Sequence, residues 1–497
     1  MAVFSCPFDP EAWKREALLT AAQMRQAESL GAVSSSAMMS KAGEAVARVV
    51  MERWKPCRVV VLCGPGNNGG DGYVVAARLR QAGWPVVVGA LTGASPSVEA
   101  KDAAAAWTDV TRPLTKDLFD QADLVVDALF GVGLTRPLDA ELVGLVENLN
   151  ARKLPVVAVD VLSGVDADTG RVLGAAVQAA LTVTFFCAKP GHVVLPGALR
   201  CGEVVIADIG IARAVLDEVQ PTTARNAPDL WRKALSWPQP GGHKYSRGQA
   251  LLFGGPVLTG AARLAARAAQ RVGAGLVTLA APTEAVPLYA AALESVIVRP
   301  VASVEDWRAL LDDPKRNAVL IGPGMGLDAD AKALVHAALA TRKPCVLDAD
   351  ALTAFAGEPQ ELFGLLHEAC VLTPHEGEFS RLFGARLDAA APKLERARRA
   401  AALAGCVVLL KGADTVVASP DGCAVVNDNA PPWLATAGAG DVLAGLIVGL
   451  LAQGLQPMVA ASAAAWLHGR SAAAFGPGLI AEDIVDGVPV ALKSLSE

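Results

Sequence analysis

Short apolar segments recur along the whole chain, each followed by a turn of small residues and a stretch of helical composition. In the first half they lie at residues 58–63, 85–91, 123–128, 155–160 and 181–186. In the second half they lie at 250–253, 276–280, 317–321, 345–348, 370–373 and 407–411, with a helix expected over 260–271. A short run of β-branched and apolar residues without alternation is typical of a strand buried on both faces of a parallel sheet. The pattern therefore predicts an α/β fold.

The length and a change in composition predict more than one domain. A chain of 497 residues exceeds one typical hydrophobic core. Prolines 221, 228, 238 and 240 crowd together with polar residues. We therefore expect a first domain at 1–215, a linker at 216–240 and a second domain at 241–497. The two halves carry different motifs, so we predict two separate domains and no duplication.

The composition excludes several classes of protein. A net charge of −6 and a pI near 5.7 argue against binding to nucleic acid or to an anionic membrane. Residues 442–469 carry no charged side chain, but Gln453-Gly454 and Gln456-Pro457 interrupt them, so two buried helices are expected there instead of a membrane span. Nine scattered cysteines without a C-x-x-C pair, and no secretory signal at the N-terminus, predict a cytoplasmic protein with reduced thiols.

The strongest chemical signal is Gly438-Ala439-Gly440-Asp441, directly before an apolar helical pattern. Small residues at a helix start leave backbone N–H groups open, and the helix dipole favours an anion there. Asp441 in the first turn can accept a proton from an attacking hydroxyl. Together these features indicate phosphoryl transfer. On its own the motif favours a plain turn followed by an acidic first-turn residue by roughly three to one, and only its combination with the other motifs reverses this.

The first half has polar residues at several predicted strand ends. The run Asn67-Asn68-Gly69-Gly70-Asp71-Gly72 follows the strand at 58–63, and we expect a loop over 64–72 and a helix over 73–81. Such a loop can hold a phosphate on its N–H groups and a monovalent cation on its oxygens, although a plain Asn-Gly turn is about as probable. Asp127 and Asp160 end two further strands, where carboxylates converge on the crevice of an open α/β sheet. Each of them alone could be a helix cap.

The second half has a comparable set of loops. Gly254-Gly255 precede a helix start at Gly260-Ala261-Ala262, where a ligand contact and a close helix–sheet contact are equally good explanations. Lys411 ends a strand beside Gly412-Ala413-Asp414-Thr415, so its ammonium can reach phosphates. His375 follows a strand, and the sequence leaves open whether it binds a ligand or only caps a turn.

In combination, these motifs resemble a known family. Gly254-Gly255, Gly322-Pro323-Gly324-Met325-Gly326, Asp348-Ala349-Asp350, Thr373-Pro374-His375-Glu376-Gly377-Glu378, Lys411–Thr415 and the Asp441 motif occur in an order similar to that of the ribokinase-like ADP/ATP-dependent NAD(P)H-hydrate dehydratases, over about 240–495. The loop at 64–72 with Asp160-Val161-Leu162-Ser163-Gly164 resembles the NAD(P)H-hydrate epimerases, over about 20–215. The chain thus resembles the bifunctional NAD(P)H-hydrate repair enzymes. The resemblance implies an N-terminal Rossmann-like three-layer αβα domain followed by a ribokinase-like α/β domain.

For the first domain, the resemblance implies interconversion of the R and S hydrates of NADH and NADPH (NADHX and NADPHX). Asp160 matches a substrate-binding and catalytic carboxylate. Potassium is implied as a cofactor, with ligands matching Asn68, Asp127 and Ser163. Lys189 is a second polar candidate, although a lysine in a surface turn is the simpler expectation. The substrate-contacting positions are Asn67, Asn68, Gly69, Gly70, Asp71, Gly131, Val132, Gly133, Leu134, Thr135, Arg136 and Pro137.

For the second domain, the resemblance implies dehydration of the S hydrate at the expense of ADP, with Mg²⁺ on the nucleotide phosphates. Asp441 would free the ring hydroxyl to attack the terminal phosphoryl group, and the phosphate ester would then be eliminated. The positions implied for the hydrated substrate are Ala261, Gly326, His375 and Asp441, and those for the nucleotide are Lys411, Gly412, Ala413, Asp414, Thr415 and Gly440. Bacterial members of this family use ADP and eukaryotic members use ATP.

Two other functions remain open at this stage. Ribokinase-like kinases of thiazole or pyridoxal alcohols share the G-A-G-D motif, and the first domain could be a binding module without catalysis. The expected partners are the substrates NADHX, NADPHX and ADP and further copies of this chain, with no nucleic acid and no membrane.

Overall fold

A computed structural model describes residues 6–91 and 97–496 of the chain. The chain forms two compact units. The first is Lys14–Thr223, and the second contains the residues from Ala224 onward together with residues 6–13. Helix α1 (Pro10–Glu16) contains the division near the N-terminus.

The first unit is built on a parallel sheet of seven strands. They are β1 (Val59–Cys63), β2 (Val86–Ala90), β3 (Thr111–Pro113), β4 (Leu124–Ala128), β5 (Val156–Val159), β6 (Leu181–Phe185) and β7 (Glu203–Ala207). Their order in the sheet is β3-β2-β1-β4-β5-β6-β7. The chain therefore reverses its direction of winding between β1 and β4, which is where an open α/β sheet binds its ligand.

Helices cover both faces of this sheet. They are α2 (Ala21–Leu30), α3 (Ser35–Arg53), α4 (Asn67–Gln81), α5 (Val98–Ala106), α6 (Ala140–Arg152) and the short α7 (Leu216–Val219), with 3₁₀ turns at Lys116–Gln121, Pro190–His192, Gly197–Leu199 and Arg213–Val215. Val59 and Val61 pack into one core with α3 and α4, whereas Val60 and Leu62 pack into another with α6. Because neighbouring strand residues point to opposite faces, both faces are buried, and the predicted three-layer αβα fold is confirmed.

The expected loop over 64–72 is wrong in its second half. Helix α4 begins at Asn67, six residues before the expected start at Tyr73. The glycines of this segment permit close packing. A Cβ atom on Gly69 would lie 1.8 Å from the carbonyl oxygen of Gly64, and one on Gly72 would lie 2.7 Å from Cβ of Ala128. Glycine in this helix start is therefore required by helix–sheet contact and does not indicate a loop.

The second unit contains a sheet of ten strands in the order β11-β10-β9-β12-β13-β14-β15-β16-β17-β8. Pairing is parallel from β11 through β15 and antiparallel at β15–β16 and β16–β17. The reversal of winding lies between β9 and β12. The strands are β8 (Thr223–Arg225), β9 (Gln249–Phe253), β10 (Leu276–Pro282), β11 (Ile297–Val301), β12 (Ala318–Ile321), β13 (Cys345–Leu347), β14 (Cys370–Leu372), β15 (Val407–Leu410), β16 (Thr415–Ala418) and β17 (Ala424–Asn427).

The helices of the second unit follow the same βα alternation. They are α8 (Pro228–Trp231), α9 (Thr259–Arg271), α10 (Val286–Ala292), α11 (Val304–Leu311), α12 (Ala331–Ala340), α13 (Asp350–Thr353), α14 (Pro359–Phe363), α15 (Glu376–Phe383), α16 (Lys393–Ala404), α17 (Ala439–Ala452), α18 (Pro457–Phe475) and α19 (Ala481–Ser496), with 3₁₀ turns at Arg232–Ala234, Lys244–Arg247, Thr283–Ala285 and Pro432–Leu434. Helices α17 and α18 are almost entirely buried. This agrees with the two buried helices expected over 442–469.

Within the described part of the chain, no helix is both long and apolar enough to cross a membrane. The segment 216–240, for which we expect a linker, contains α7, β8 and α8. Its strand joins the ten-stranded sheet, and Asn226 N–H donates to the carbonyl oxygen of Val426 at 2.7 Å. Residues 6–13 pack with the second unit, where Phe8, Ala12 and Trp13 belong to its core.

Candidate functional site

The crevice of the first unit lies at the carboxyl ends of β1 and β4. Strand β1 leads to Gly66, which precedes α4 and has no side chain to cap it. Within the described structure, the N–H groups of Asn67, Asn68 and Gly69 donate no hydrogen bond to a protein acceptor. These open donors at the positive end of a helix can receive an anion such as a phosphate.

The three predicted potassium ligands surround one short loop. Asp127 is fully buried and its Oδ1 accepts from the hydroxyl of Ser163 at 2.6 Å, while its Oδ2 accepts from the Ser163 N–H at 2.9 Å. The side chain of Asn68 lies against Gly131, because its Oδ1 is 3.0 Å from the position of a Cβ there. Asn68 Nδ2 is buried without a hydrogen-bond partner in the described structure. Rotating this amide by half a turn places a carbonyl oxygen there, and a cation would then satisfy it.

Asp160 directly follows β5 and makes hydrogen-bond contacts with four residues. Its Oδ1 accepts from Lys189 Nζ at 2.5 Å and from Thr184 Oγ1 at 2.8 Å, and its backbone oxygen lies 2.9 Å from His192 Nε2. Its N–H donates to the carbonyl oxygen of Val183. Burial would raise the pKa of Asp160, but the charge and hydrogen bond of Lys189, followed by Thr184 and His192, hold the pKa below its usual range.

The simpler expectation for Lys189, a solvated turn lysine, is wrong. Its side chain has no exposed surface. Lys189 immediately precedes the 3₁₀ turn Pro190–His192, and the Asp160 carboxylate compensates the charge of its buried ammonium.

Asp71 lies in the same crevice, but its pKa is shifted in the direction opposite to that of Asp160. Its side chain has no hydrogen-bond partner among the described residues, and the residue is only 8% exposed. Burial raises the pKa of Asp71 well above its ordinary value, and the nearby charges of Asp160 and Glu28 raise it further.

The predicted substrate loop 131–137 divides into two parts. Gly131 contacts Asn68, and Leu134 belongs to the core that covers one face of the sheet. Thr135, Arg136 and Pro137 are exposed. The side chain of Leu134 is therefore not available to a ligand, whereas the exposed residues are.

The second unit places its candidate chemistry at the start of α17. Gly438 precedes the helix in the left-handed region, with φ of 87°, and supplies no side-chain cap. The N–H groups of Gly440 and Asp441 have no acceptor within the described structure. The carboxylate of Asp441, in the first turn, likewise has no hydrogen-bond partner among the described residues and is half-buried. An open pair of amides and an unpaired carboxylate therefore adjoin.

Lys411 lies beside these groups. Its Nζ donates to Asp348 Oδ1 at 2.8 Å and lies 3.7 Å from Glu378 Oε2. A Cβ atom on Gly440 would lie 3.5 Å from the same Nζ. The ammonium thus stands next to the helix amides and increases the positive potential around them.

The pKa of Asp441 is raised to about 7. Burial is the largest cause, and the negative charge of Asp348 adds to it, whereas Lys411 lowers the pKa in part. A carboxyl with a pKa near neutrality is a stronger base than an ordinary aspartate, and it is still largely ionised at slightly alkaline pH.

A cavity of about 300 Å³ adjoins the same helix start. Most of the predicted nucleotide-contacting residues line it, namely Lys411, Gly412, Ala413, Thr415 and Gly440. The remaining wall is mainly apolar, with Pro431, Pro432, Leu434, Leu443 and Ala465, and also contains His468. The mainly apolar lining beside Lys411 suits an aromatic ring next to a charged group.

Asp414 does not line this cavity. Its Oδ1 accepts from Lys393 Nζ at 2.6 Å, so the carboxylate anchors the loop from behind. Thr415 supports the loop as well, since its hydroxyl donates to the Gly412 carbonyl at 2.7 Å.

The positions predicted for the hydrated substrate lie on neighbouring loops. Gly326 follows β12 with φ of 90°, and its N–H donates to Asp350 Oδ2 at 2.9 Å. His375 caps α15, because its Nδ1 accepts from the N–H groups of Gly377 and Glu378. Its side chain is still 54% exposed, and Nε2 lies 3.5 Å from Glu378 Oε1. Ala261 is half-buried in the first turn of α9.

Comparison with known proteins places the chain in a family. It is 39% identical to the bifunctional NAD(P)H-hydrate repair enzyme of Salinibacter ruber, over 92% of this chain and 91% of that protein. It is 37% identical to the enzyme of the same name from Moorella thermoacetica, over 97% of both chains. The chain belongs to the bifunctional NAD(P)H-hydrate repair enzyme family.

The two halves of the chain match two family profiles separately. Residues 35–191 match the YjeF-related protein N-terminus, and residues 250–479 match NAD(P)H-hydrate dehydratase. Of the solved structures, the ADP/ATP-dependent NAD(P)H-hydrate dehydratase of Bacillus subtilis, co-crystallised with ATP and Mg²⁺, is 29% identical with a TM-score of 0.46, covering 53% of this chain and 95% of that one. The range of this chain that matches the first profile includes Asp71, Asp160 and Lys189, and the range that matches the second includes Lys411 and Asp441.

Sequence reasoning assigned no role to several polar residues of the two sites of this repair-enzyme chain. Thr184 and His192 support Asp160, and Asp348 binds Lys411. His468 of α18 lies 2.9 Å from the Ala439 carbonyl, and burial lowers the pKa of His468 to about 4. The signal for Asp348 was present, because it directly follows β13, whereas His192 lies seven residues beyond the end of β6. Nothing local marks Thr184 or His468, whose partners are distant in the sequence.

Proposed function

We propose that this chain repairs hydrated NADH and NADPH with two sites, one for each compact unit. The first unit interconverts the R and S hydrates, and the second dehydrates the S hydrate with a nucleotide, for which we propose ADP. The observation that carries the proposal is the start of α17, where open amides, the Lys411 ammonium and an unpaired carboxylate adjoin a cavity of about 300 Å³. A phosphoryl transfer to an alcohol requires this set of groups.

The dehydration would proceed in two steps. Asp441 takes the proton of the ring hydroxyl as its oxygen attacks the terminal phosphoryl group, and the shorter nucleotide leaves. The C–O bond of the resulting phosphate ester then breaks, with the ring nitrogen supplying electrons, and the neighbouring carbon loses a proton to restore the dihydropyridine. The Gly440 and Asp441 amides and Lys411 stabilise the charge on the moving phosphoryl group.

A divalent cation fits the second site through the nucleotide. Among the described residues, no group of three or more His, Cys, Asp or Glu side chains is arranged to hold a metal ion by itself. Magnesium would therefore be held mainly by phosphate oxygens and water, and would neutralise phosphate charge when bound. Lys411, Gly412, Ala413, Thr415 and Gly440 would contact the nucleotide, whereas Ala261, Gly326 and His375 would face the hydrated substrate.

Potassium fits the first site. Asn68, Asp127 and Ser163 offer oxygens of mixed charge, and the unpartnered amide of Asn68 lies on the same loop. The ion would balance the phosphate charge of the substrate, which the amides of Asn67, Asn68 and Gly69 would also bind. Of the loop 131–137, we assign contact to Gly131, Val132, Gly133, Thr135, Arg136 and Pro137.

The test uses the full chain with purified R and S hydrates of NADH, each with ADP, with ATP or without nucleotide. We expect NADH absorbance to return with the S hydrate and ADP, and R and S to equilibrate without any nucleotide. Phosphorylation of thiazole or pyridoxal alcohols without NADH recovery would overturn the proposal in favour of a vitamin kinase. Recovery with S but no R/S equilibration would make the first unit a binding module. Recovery with ATP and not with ADP would overturn the nucleotide choice alone.

The cysteines are consistent with action in the cytoplasm, which we also propose. All nine are free, and seven of them are buried. The test is the location of the tagged chain after cell fractionation.

A further inference from the structure

The surroundings of Asp160 leave one atom free. Asp160 has φ of 62°, a left-handed conformation that costs a residue with a side chain on the order of 1 kcal/mol. Its N–H, its carbonyl oxygen and Oδ1 are all engaged by the protein. Among the described residues, no group donates a hydrogen bond to Oδ2. A carboxylate held at three points with one open oxygen is pre-organised to accept a proton from a ligand.

The hydrogen-bond donors of the Lys189 and His192 side chains are all used by protein acceptors. Lys189 Nζ donates to Asp160 Oδ1, to Thr184 Oγ1 at 2.8 Å and to the Phe185 carbonyl at 3.2 Å, which uses all three of its donors. His192 Nδ1 accepts from the Lys189 N–H, so the ring proton lies on Nε2 and is donated to the Asp160 carbonyl. Burial lowers the pKa of His192 to about 4, which keeps the ring neutral. Neither residue can give a proton to a substrate.

Apart from Asp127, which is bonded to Ser163, Asp71 is the remaining buried acid of the crevice among the described residues. More than nine-tenths of its surface is buried, and it has no hydrogen-bond partner in the described structure. Asp160 and Glu28 are the charged groups that act on it, and both are negative, so the protonated carboxyl is favoured. Glu28, on α2, is less buried. Burial and the charge of Asp160 raise the pKa of Glu28, and the charges of Lys189 and Arg25 partly offset this increase.

We propose that Asp71 is the proton donor and Asp160 the proton acceptor of the epimerisation, with Lys189 as the positioning residue that keeps Asp160 ionised and oriented. The proposal rests on the R/S interconversion proposed above and assigns its residues. The two carboxyls would form a pair in opposite protonation states, because Lys189 bonds Asp160 and not Asp71.

The step that this pair supports is reversible ring opening. The substrate hydroxyl lies on the carbon bonded to the ring nitrogen. Asp160 takes the hydroxyl proton, the O–H electron pair forms a C=O bond, the C–N bond breaks, and the nitrogen takes the proton of Asp71. Rotation presents the other face of the aldehyde. The nitrogen then attacks, its proton returns to Asp71, and the oxygen recovers its proton from Asp160. Both residues end as they began, and no further reactant is needed.

The experiment measures R/S equilibration against pH for the full-length chain and its variants. For the wild type we expect activity over a wide plateau, limited at low pH by Asp160 and at high pH by Asp71. In K189M the low-pH limb should move to higher pH, because the charge of Lys189 no longer offsets the effect of burial on the pKa of Asp160. Activity should recover as the pH rises. Asp71→Asn should lose about 10²–10⁴-fold at every pH. Glu28→Gln, the matched neighbour, should keep the plateau rate and move the high-pH limb downward.

The variants separate positioning from mere structural support. A uniform loss in K189M, without a change in the pH profile, would overturn the positioning role. If K189M does not fold, Thr184→Val decides, since it removes one hydrogen bond to Asp160 and should move the same limb by a smaller amount. Asp71→Asn with more than a tenth of wild-type activity would overturn the proton donor. Substrate labelled with ¹⁸O in the hydroxyl should keep its label, and loss of label during epimerisation would overturn ring opening.

The outcome also separates this proposal from the function itself. If the wild-type chain does not equilibrate R and S, the proposed function of the first unit fails. If it does so and the variants behave like the wild type, only the present assignment fails. Dehydration of the S hydrate by the same samples reports that the second unit is folded in every variant.

Discussion

Each of the two sites contains a lysine bonded to an aspartate, but only in the first unit is that aspartate the candidate base. In the first unit Lys189 bonds Asp160, the candidate base, and the pKa of Asp160 is held low. In the second unit Lys411 bonds Asp348 and leaves Asp441 without a partner, so that burial and the charge of Asp348 raise the pKa of Asp441 to about 7. The same residue types therefore give one aspartate a lowered pKa and the other a raised pKa.

The difference matches the two chemical tasks. A reversible proton exchange needs a base that releases its proton easily, together with a separate acid, and Asp160 with Asp71 provides both. A phosphoryl transfer needs a stronger base beside open amides, while the lysine remains close to the phosphates. Lys189 bonds Asp160 directly and lowers its pKa, whereas Lys411 acts on Asp441 only through its charge, which lowers the pKa of Asp441 less than burial and nearby carboxylates raise it.

The largest effect should come from Asp441→Asn. The amide keeps the shape of the side chain but accepts no proton, so we expect the dehydration rate to fall about 10²–10⁴-fold. The measurement is NADH recovery from the S hydrate with ADP. R/S equilibration by the same sample is the control and should not change. If the variant kept a tenth or more of the dehydration rate, Asp441 would not be the base.

Lys411→Met should have the next largest effect. It removes a cation next to the moving phosphoryl group, and we expect kcat/KM for the nucleotide to fall about 10²–10³-fold. It also leaves Asp348 buried without a partner. The matched control is the double variant Asp348→Asn with Lys411→Met, which should regain stability of about 3–5 kcal/mol but no turnover. Recovery of turnover in the double variant would show that Lys411 acts only on Asp348.

The two sites should also differ in pH dependence. Ionised Asp441 is the active form, and its pKa is about 7. The dehydration rate should therefore be constant above that pH and fall about tenfold per pH unit well below it. R/S equilibration should show no such limb, because the pKa of Asp160 is below its usual range. Asp348→Asn should shift the dehydration limb to lower pH, and an unmoved limb would exclude the carboxyl of Asp441 as its origin.

The smallest effect concerns His375. Replacing it with alanine removes the cap of α15, which should lower the stability of the second unit by about 1 kcal/mol in a thermal or urea melt. His375→Asn can still cap the helix and should restore stability. A raised KM for the S hydrate in the asparagine variant would then report substrate contact. If stability is unchanged in the alanine variant, the capping bonds contribute nothing measurable.

The central strands were predictable because both sheet faces are buried, so their sequences are continuous apolar runs such as Val59–Cys63. The edge strands β3, β7 and β11 were not predicted. Strands β3 and β11 are largely exposed and contain Arg and Pro, so they carry no continuous apolar run. Strand β7 does carry the apolar run Val204–Ala207, in which only Ala207 is buried. Strands β16 and β17 are fully buried and consist mainly of apolar residues, but they were not predicted either.

The placement of chemistry at strand ends came from the sequence alone. Asp127 lies at the end of a buried strand, and Asn67, Asp160, His375 and Lys411 each follow one. Parallel strands bring their carboxyl ends to one edge. The motif order was also sufficient to indicate the family. The tertiary structure alone decided which acid pairs with which lysine. Asp160 and Lys189 are 29 residues apart, and Asp348 and Lys411 are 63 apart. Such pairings depend on how strands and helices pack, and burial together with these pairings sets each pKa.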